Sequence, residues 1–509
     1  MLRTLAATSW ARPAETAPAS VGLAQHDVRH HANPCRVVLF AKVLRPAEPG
    51  NFLLDGHDII MGMNTTPFFD GLGDGVATEV SSALDSEGRL GASPRLRRPD
   101  RQQVTLEPCC LEERLPGDHP ARTVWQVTGR LDLSGFYDAI DARGEIPGRS
   151  ATDPRLLVAL WLYAAIEGIG NGRKLARLCE EHDAYRWLCG GVSVNYHTLN
   201  DFRVGHEKSL DELFTQVLAT LMHHHVVSVN RISQDGTRIR AGAGAKSFRR
   251  RARLESLLAE AQAHVEALKR QGEEEAGESG RRRAARERAA KERQARLEAA
   301  LVEMAKLEET KAQQRDDKPC KKNAPRASTT DPQARRMRMG DGGFAAAYNV
   351  QIAADPRSRA IVGMEVTNHG TDHGEDGPLR EQVERRTGGK VREHLLDGGY
   401  VKRESIEQAA EQGVAIYAPL PATGRGGAVC IFNPNDRPGV AAWRRRMRTQ
   451  AGRTAYRERA ATSETVNADL KTFRGLHAFA VRGLQKVRCV ALWSVLAYNV
   501  MHFSAVLMT

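Results

Sequence analysis

The chain has 509 residues, 41% hydrophobic and 27% charged, the profile of a soluble globular protein with room for two to four domains. Its formal net charge of +12 and isoelectric point near 9.4 make a polyanion a natural partner. The eight cysteines are scattered, with no CxxC pair and only Cys109 and Cys110 adjacent; this excludes a zinc framework or a disulfide scaffold and fits a reducing cytoplasm.

Residues 1–60 are rich in Ala, Pro and Arg, and no period holds beyond the short apolar run Val37 to Ala41. They read as a disordered or mis-started extension, with Met61 or Met63 an alternative start. Residues 61–134 are mixed and turn-rich, with a disordered stretch expected around Arg95 to Arg101. Thr152-Asp153-Pro154 is a helix start: a capping oxygen, then a proline whose missing N–H costs nothing in the first turn. The following LLVALWLYAAIEG is apolar nearly all round and predicts a buried helix. Short amphipathic segments follow at Arg173 to Glu181, Ala184 to Cys189, Tyr196 to His206 and Leu210 to His225. Residues 135–226 therefore read as an all-α domain of the helix-turn-helix kind. The polar residues of Tyr196–Arg203 suit base edges, with His197 and Arg203 as DNA-binding candidates and Arg173 and Lys174 as phosphate contacts.

Val226 to Ala241 alternates as a strand, a turn and a second strand, placing Asp235 where a strand ends in Asp-Gly-Thr. Residues 247–316 are dominated by Arg, Glu, Ala and Lys. Leu254, Leu257, Ala261, Val265 and Leu268 make one apolar stripe; Leu297, Leu301, Met304 and Leu307 make another. The breaker GEEEAGESG between them predicts a coiled-coil hairpin, an insertion over 246–330. FAAAYNVQIAAD and RAIVGMEVTNHG, joined by an Asp-Pro turn, read as hairpin strands. A helix over Asp376–Arg386, a strand ending at Asp397, a helix over Lys402–Gln412 and the strand VAIYAP imply parallel strands with crossover helices. The final part is helical, over Val440–Leu470 and about 486–508. The apolar stretch Cys489–Met508 carries Ser494, Asn499, His502 and Ser504, so it reads as a core helix, with no membrane partner expected.

The carboxyl ends of strands in open α/β sheets are where ligands collect. Asp235 and Asp397 are each followed by glycine, which lets a partner approach. Glu464 lies in Tyr456-x2-Arg459-x4-Glu464-x6-Lys471, where Glu464 and Lys471 fall two turns apart on one helix face. Asp331 reads as a turn or cap residue and Asp341 as a loop residue, while Asp372 and His373 follow a strand and are candidates for the site's surroundings. His223, His224 and His225 stand at a helix end, where imidazoles more often face solvent. Between Asp436 and Arg459 there are eight arginines against two acids. Trp443-Arg444-Arg445-Arg446 is thus a candidate grip for a DNA end, with Trp443 stacking on an unpaired base.

The stretches ISQDGTRIRAGAG, HLLDGGYVKRESIEQAAEQGVAIYAP and YRERAATSETVNADLKTFRGLHAF, together with the intervening STTDPQARRMRMGDGGFAAAYNVQIA, resemble the Asp-Asp-Glu transposases of bacterial insertion sequences. The likeness covers about residues 125–505 and is strongest to the branch with an InsH-like helical N-terminal domain. It implies a ribonuclease-H-like α/β core, a mixed sheet with flanking helices, over 227–475, interrupted by the coiled-coil insertion, preceded by the helix-turn-helix-like domain and followed by a helical segment at 476–509. It further implies Asp235, Asp397 and Glu464 as catalytic carboxylates holding Mg²⁺ or Mn²⁺, with two ions expected, and Tyr456, Arg459 and Lys471 as DNA contacts. The family signature places three residues between Arg and Glu, where this chain has four. The implied activity is binding of terminal inverted repeats, DNA cleavage and strand transfer into target DNA, by a homodimer or larger assembly in the cytoplasm at the nucleoid. The competing readings are an inactive element remnant and a non-catalytic DNA-binding coiled-coil protein.

Overall fold

The cap at Asp153 forms as its sequence predicts: its carboxylate accepts from Arg155 N at 2.8 Å and Pro154 opens the helix. The computed structural model describes residues 99, 101–102, 110–143, 150–274, 280–313, 324–423, 428–429 and 434–509. The readings for residues 1–60 and for most of the 272–280 hinge lie outside these. The described helices before the sheet are α1 (Pro120–Thr128), α2 (Ser134–Tyr137), α3 (Pro154–Ile166), α4 (Gly172–Glu181), α5 (Asp183–Cys189), α6 (Tyr196–Gly205) and α7 (Glu207–His223). Helix α1 begins well before residue 135, where the sequence reading opened the helical region; Val124 and Val127 are buried against α3. The asparagines Asn171 and Asn195 cap α4 and α6 with their side chains, each such cap stabilising its helix by about 1 kcal/mol. His223, His224 and His225 are exposed at the end of α7.

Strand β1 (Arg231–Arg240) runs unbroken for ten residues. This corrects the strand–turn–strand reading: Asp235-Gly236 lies in mid-strand, paired with Ile352 and Gln351, and does not turn. The ladder across β1 overrides the turn preference of Asp-Gly. A two-residue ladder of β2 (Phe248–Arg249) and β3 (Ala327–Ser328) brackets α8 (Arg251–Glu274) and α9 (Gly280–Gln313). These two helices pack together through Leu254, Ala261, Leu297, Ala300 and Met304. The remaining strands of the main sheet are β4 (Arg335–Arg338), β5 (Phe344–Ala354), β6 (Ile361–Thr367), β7 (Glu393–Leu395) and β8 (Ala415–Tyr417). The order is β4-β5-β1-β7-β8, with β6 also on β5. Strand β5 pairs antiparallel with β1, β4 and β6, while β1–β7 and β7–β8 are parallel. Helices α10 (Asp376–Thr387) and α11 (Arg403–Glu411) connect the parallel strands, and β9 (Ala422–Thr423) pairs with β10 (Ala428–Val429). The architecture is a mixed sheet with flanking helices.

The chain ends in α12 (Pro438–Arg448), α13 (Gln450–Thr472) and α14 (Leu484–Leu507). The single helix expected over Val440–Leu470 is broken at Thr449, whose side chain caps α13 through Gly452 N at 2.9 Å. Helix α14 is the one helix among the described residues long and apolar enough to cross a membrane, yet two-thirds of its most apolar window (67%) is buried inside the protein. It packs on α3, α7 and β6. Asn499, fully buried, accepts from Ile361 N at 3.0 Å and donates to Ile361 O at 2.9 Å, satisfying the edge of β6. A polar residue inside an apolar helix thus serves a strand edge that would otherwise leave buried backbone groups unpaired.

Candidate active site

Because side chains alternate along β1, Ser233 and Asp235 project towards α13 while Gln234, Gly236 and Arg238 project to the opposite face. Helix α13 is fixed over the first group. Ser463 Oγ lies 2.9 Å from Ser233 Oγ, and Arg231 bridges Glu393 of β7 (2.5 Å) and Glu458 of α13 (2.7 Å). Asn467 Nδ2 donates to Asp235 Oδ2 at 3.1 Å, and Arg459 Nη1 stands 3.9 Å from Asp235 Oδ1. The family signature's Arg459 therefore faces the first aspartate, despite the extra residue between it and Glu464.

Asp397 lies two residues beyond β7, at the start of a single 3₁₀ turn over Gly398–Tyr400, and accepts from Gly398 N at 2.6 Å. Asp235 senses it. Burial pushes the Asp235 carboxyl up to about 6; Asp397 and Asp372 add to the rise, and Arg459 and the Gly236 N–H oppose it. Burial raises the Tyr456 phenol, with Arg459 opposing and both aspartates adding. Burial lowers the Lys471 ammonium, with Asp235 acting the other way. Tyr456, Arg459, Asn467 and Lys471 thus form one electrostatic unit with Asp235. A half-buried carboxylate beside others of like charge favours an added cation, and an all-oxygen donor set suits a hard divalent ion such as Mg²⁺.

Glu464 stands exposed on α13, one turn before Asn467. Among the described residues no three His, Cys, Asp or Glu side chains are gathered closely enough to hold an ion as they stand, so Glu464 does not close a three-carboxylate cluster with Asp235 and Asp397.

The arginine-rich segment before α13 departs from its expected exposure. Trp443 is buried, its indole N–H donating to Ala418 O at 3.0 Å, so it is a core residue and not a base-stacking platform. Arg444 is buried against Asp436 at 2.6 Å, and Arg446 donates to Ile416 O at 2.7 Å. Only Arg445 of the four is exposed. Helix α12 lies over α11 and β8, and its phase carries these side chains inward. Arg203 is also turned inward: it donates to Gly170 O, lies 4.8 Å over the Trp161 ring, and is lowered by burial to about 10. Arg173, Lys174 and His197 are exposed, with Arg173 5.0 Å over the Tyr196 ring.

Asn467 escaped the sequence reading, although its place three residues after Glu464 on the same helix face was a usable signal. Asn349 and Gln351 escaped it too. They are two apart on an otherwise apolar strand, hence on one face, and both are fully buried. Asp331 proves to be a buried acceptor for the Tyr348 hydroxyl (2.8 Å) and Gly483 N (3.2 Å).

A mixed sheet with flanking helices, one aspartate on β1 and another just beyond the adjacent β7, is compatible with the ribonuclease-H-like core of an Asp-Asp-Glu enzyme. Residues 109–204 match the family model described as Transposase domain (DUF772), and residues 425–503 match that described as Transposase DDE domain. Together the two matches support an insertion-sequence Asp-Asp-Glu transposase, a transposition enzyme of a family that acts on DNA and generally uses divalent metal ions. No curated protein and no solved structure matches the chain. The first matched stretch holds α1–α5 and nearly all of α6, with Arg173, Lys174 and His197; the second holds α12, α13 and most of α14, with Tyr456, Arg459, Glu464 and Lys471.

Proposed function

We propose that the chain binds the terminal inverted repeats of its element and catalyses divalent-metal-dependent DNA cleavage followed by strand transfer. The observation that carries this reading is the setting of Asp235: half-buried in mid-strand, repelled by neighbouring carboxylates, and faced by Arg459 and Asn467 of α13. Asp235, Asp397 and Glu464 are the carboxylates that would hold Mg²⁺ or Mn²⁺. When bound, a pair of such ions activates the attacking oxygen and stabilises the leaving one. Glu464 reaches the aspartates only with a change of side-chain or helix position on DNA binding, which its exposure permits. Arg459, Tyr456 and Lys471 would orient the phosphodiester beside the carboxylates, the two cations offsetting its charge. Arg445, on the exposed face of α12, would add a backbone contact.

Exposed Arg173, Lys174 and His197 would read or grip the terminal repeat from the helical unit, in helix-turn-helix fashion across α4–α6. The paired α8 and α9 form a hairpin arm inserted in the core, a candidate contact between two copies that hold two DNA ends together at the nucleoid. The test is Mg²⁺-dependent cleavage of the element's end DNA. Asp235→Asn, Asp397→Asn and Glu464→Gln should each lower the rate about 10³-fold, the several kcal/mol that a metal site contributes, while DNA binding in a gel-shift assay stays close to wild type. Retained cleavage in either aspartate variant overturns the reading.

A further inference from the structure

Asp372, in the connection between β6 and α10, occupies an unusual place. A Cβ added at Gly236 would lie 2.2 Å from Asp372 Oδ1 and 2.5 Å from Gln351 Nε2, and a Cβ at Gly399 would lie 3.5 Å from Asp372 Oδ2. The carboxylate therefore fills the space that a side chain at Gly236 would take and lies in contact range of position 399. Each glycine follows one of the two site aspartates, Gly236 directly and Gly399 by two residues. A Cβ at Gly236 could not be accommodated unless this carboxylate or its amide partners moved, whereas one at Gly399 would only touch it.

That carboxylate is held from below. Asp372 Oδ1 accepts from Asn349 Nδ2 at 2.7 Å and from Gln351 Nε2 at 2.8 Å. Gln351 Oε1 in turn accepts from Gln234 Nε2 at 2.9 Å and from the Tyr400 hydroxyl. Arg238 Nη2 stands 3.8 Å from Asp372 Oδ2. The network ties β1, β5 and the turn after Asp397 to one carboxylate. Among the described residues three buried atoms of the network have no hydrogen-bond partner: Gln234 Oε1, Arg238 Nε and the Oδ1 of fully buried Asn349. The last lies 3.0 Å from the Cβ position of Gly236, so an acceptor is left aimed into the same gap. A buried acceptor without a donor is costly unless water or a cation shell satisfies it.

We infer that Asp372 is a positioning carboxylate of the proposed cation site, setting the spacing of the Asp235 and Asp397 backbones and adding negative charge that draws a hydrated divalent ion to them. The inference rests on the reading of Asp235 and Asp397 as cation carboxylates. Asp372 stands on the far side of β1 from Asp235 and has one oxygen committed to two amides, so it acts through its charge and its hold on the network, not as a direct ligand.

The experiment measures Mn²⁺ binding to the full chain by electron paramagnetic resonance, and separately the Mg²⁺ dependence of end cleavage. Asp372→Asn and Asp372→Ser both remove the charge, and the serine still offers the amides an acceptor. Both variants should weaken Mn²⁺ binding on the order of tenfold, the scale of one nearby charge in a partly solvated site. The Mg²⁺ midpoint for cleavage should rise similarly, while the rate at saturating Mg²⁺ stays within about threefold of wild type. Unchanged Mn²⁺ affinity in both variants, alongside loss of binding in Asp235→Asn, overturns the inference and leaves the site reading intact. A loss that scales with the fall in melting temperature across the two variants overturns it as well, because that marks a packing role. If Asp235→Asn leaves Mn²⁺ binding unchanged, the site reading itself falls.

Discussion

Helices α12 and α13 adjoin in sequence, and both are rich in arginine, but they use it in opposite ways. In α12, Arg444 is buried against Asp436 and Arg446 is spent on a backbone carbonyl, leaving Arg445 and Arg448 outside. In α13, Arg459 is turned towards Asp235 from one side and Asn467 from another. The difference is one of helix phase and of what lies beneath: α12 covers the apolar edge of α11 and β8, whereas α13 covers the acidic middle of β1. A run of arginines marks a grip on DNA only when the helix presents them to a surface, and a buried arginine with a carboxylate partner is part of the scaffold.

Substitutions separate the two helices, and the largest expected effect is on folding. Arg444→Ala leaves the Asp436 carboxylate, 2% exposed, without its cation, and should destabilise the protein by about 3–5 kcal/mol; urea denaturation checks this, and a loss below about 1 kcal/mol would remove the contrast between the helices. Arg459→Ala should instead act on the reaction. End cleavage should fall about 10²-fold, as when one oriented donor is removed from a reacting phosphate, while stability falls by about 1 kcal/mol or less because the pair is long and partly solvated. Equal losses of stability in the two variants would break the comparison. Arg445→Ala carries the smallest effect: stability within about 0.5 kcal/mol of wild type, with weaker binding to any DNA sequence and a salt slope reduced by about one, the signature of one lost phosphate contact.

Much of the fold was legible in local patterns. The Asp153-Pro154 start, the β5–β6 hairpin around its Asp-Pro turn, and the alternation of α10, β7, α11 and β8 all follow from capping chemistry and periodicity, which act within a few residues. The Asp235-Gly236 turn did not survive, because the eight-residue pairing of β1 with β5, Ser233 to Arg240, outweighs a dipeptide preference. Asp372 stood out in the sequence only as an acidic residue after a strand; its closeness to Gly236 and Gly399 is a contact between segments more than a hundred residues apart in one case, and no local rule reports such a distance. The same holds for Trp443 and Arg203, whose composition suits DNA and whose packing does not.

By itself the sequence determined most of the order of elements, the basic character and the placing of aspartates on or just beyond two strands, because these depend on short-range propensity and on charge. Tertiary structure alone decided which charged groups meet. Gly236 makes room for Asp372, α13 is laid over Asp235 by Ser463 and Arg231, and α12 is turned so that its tryptophan becomes core. Those outcomes depend on the packing of faces from distant segments, where a rotation of a helix by a third of a turn moves a side chain from solvent to core.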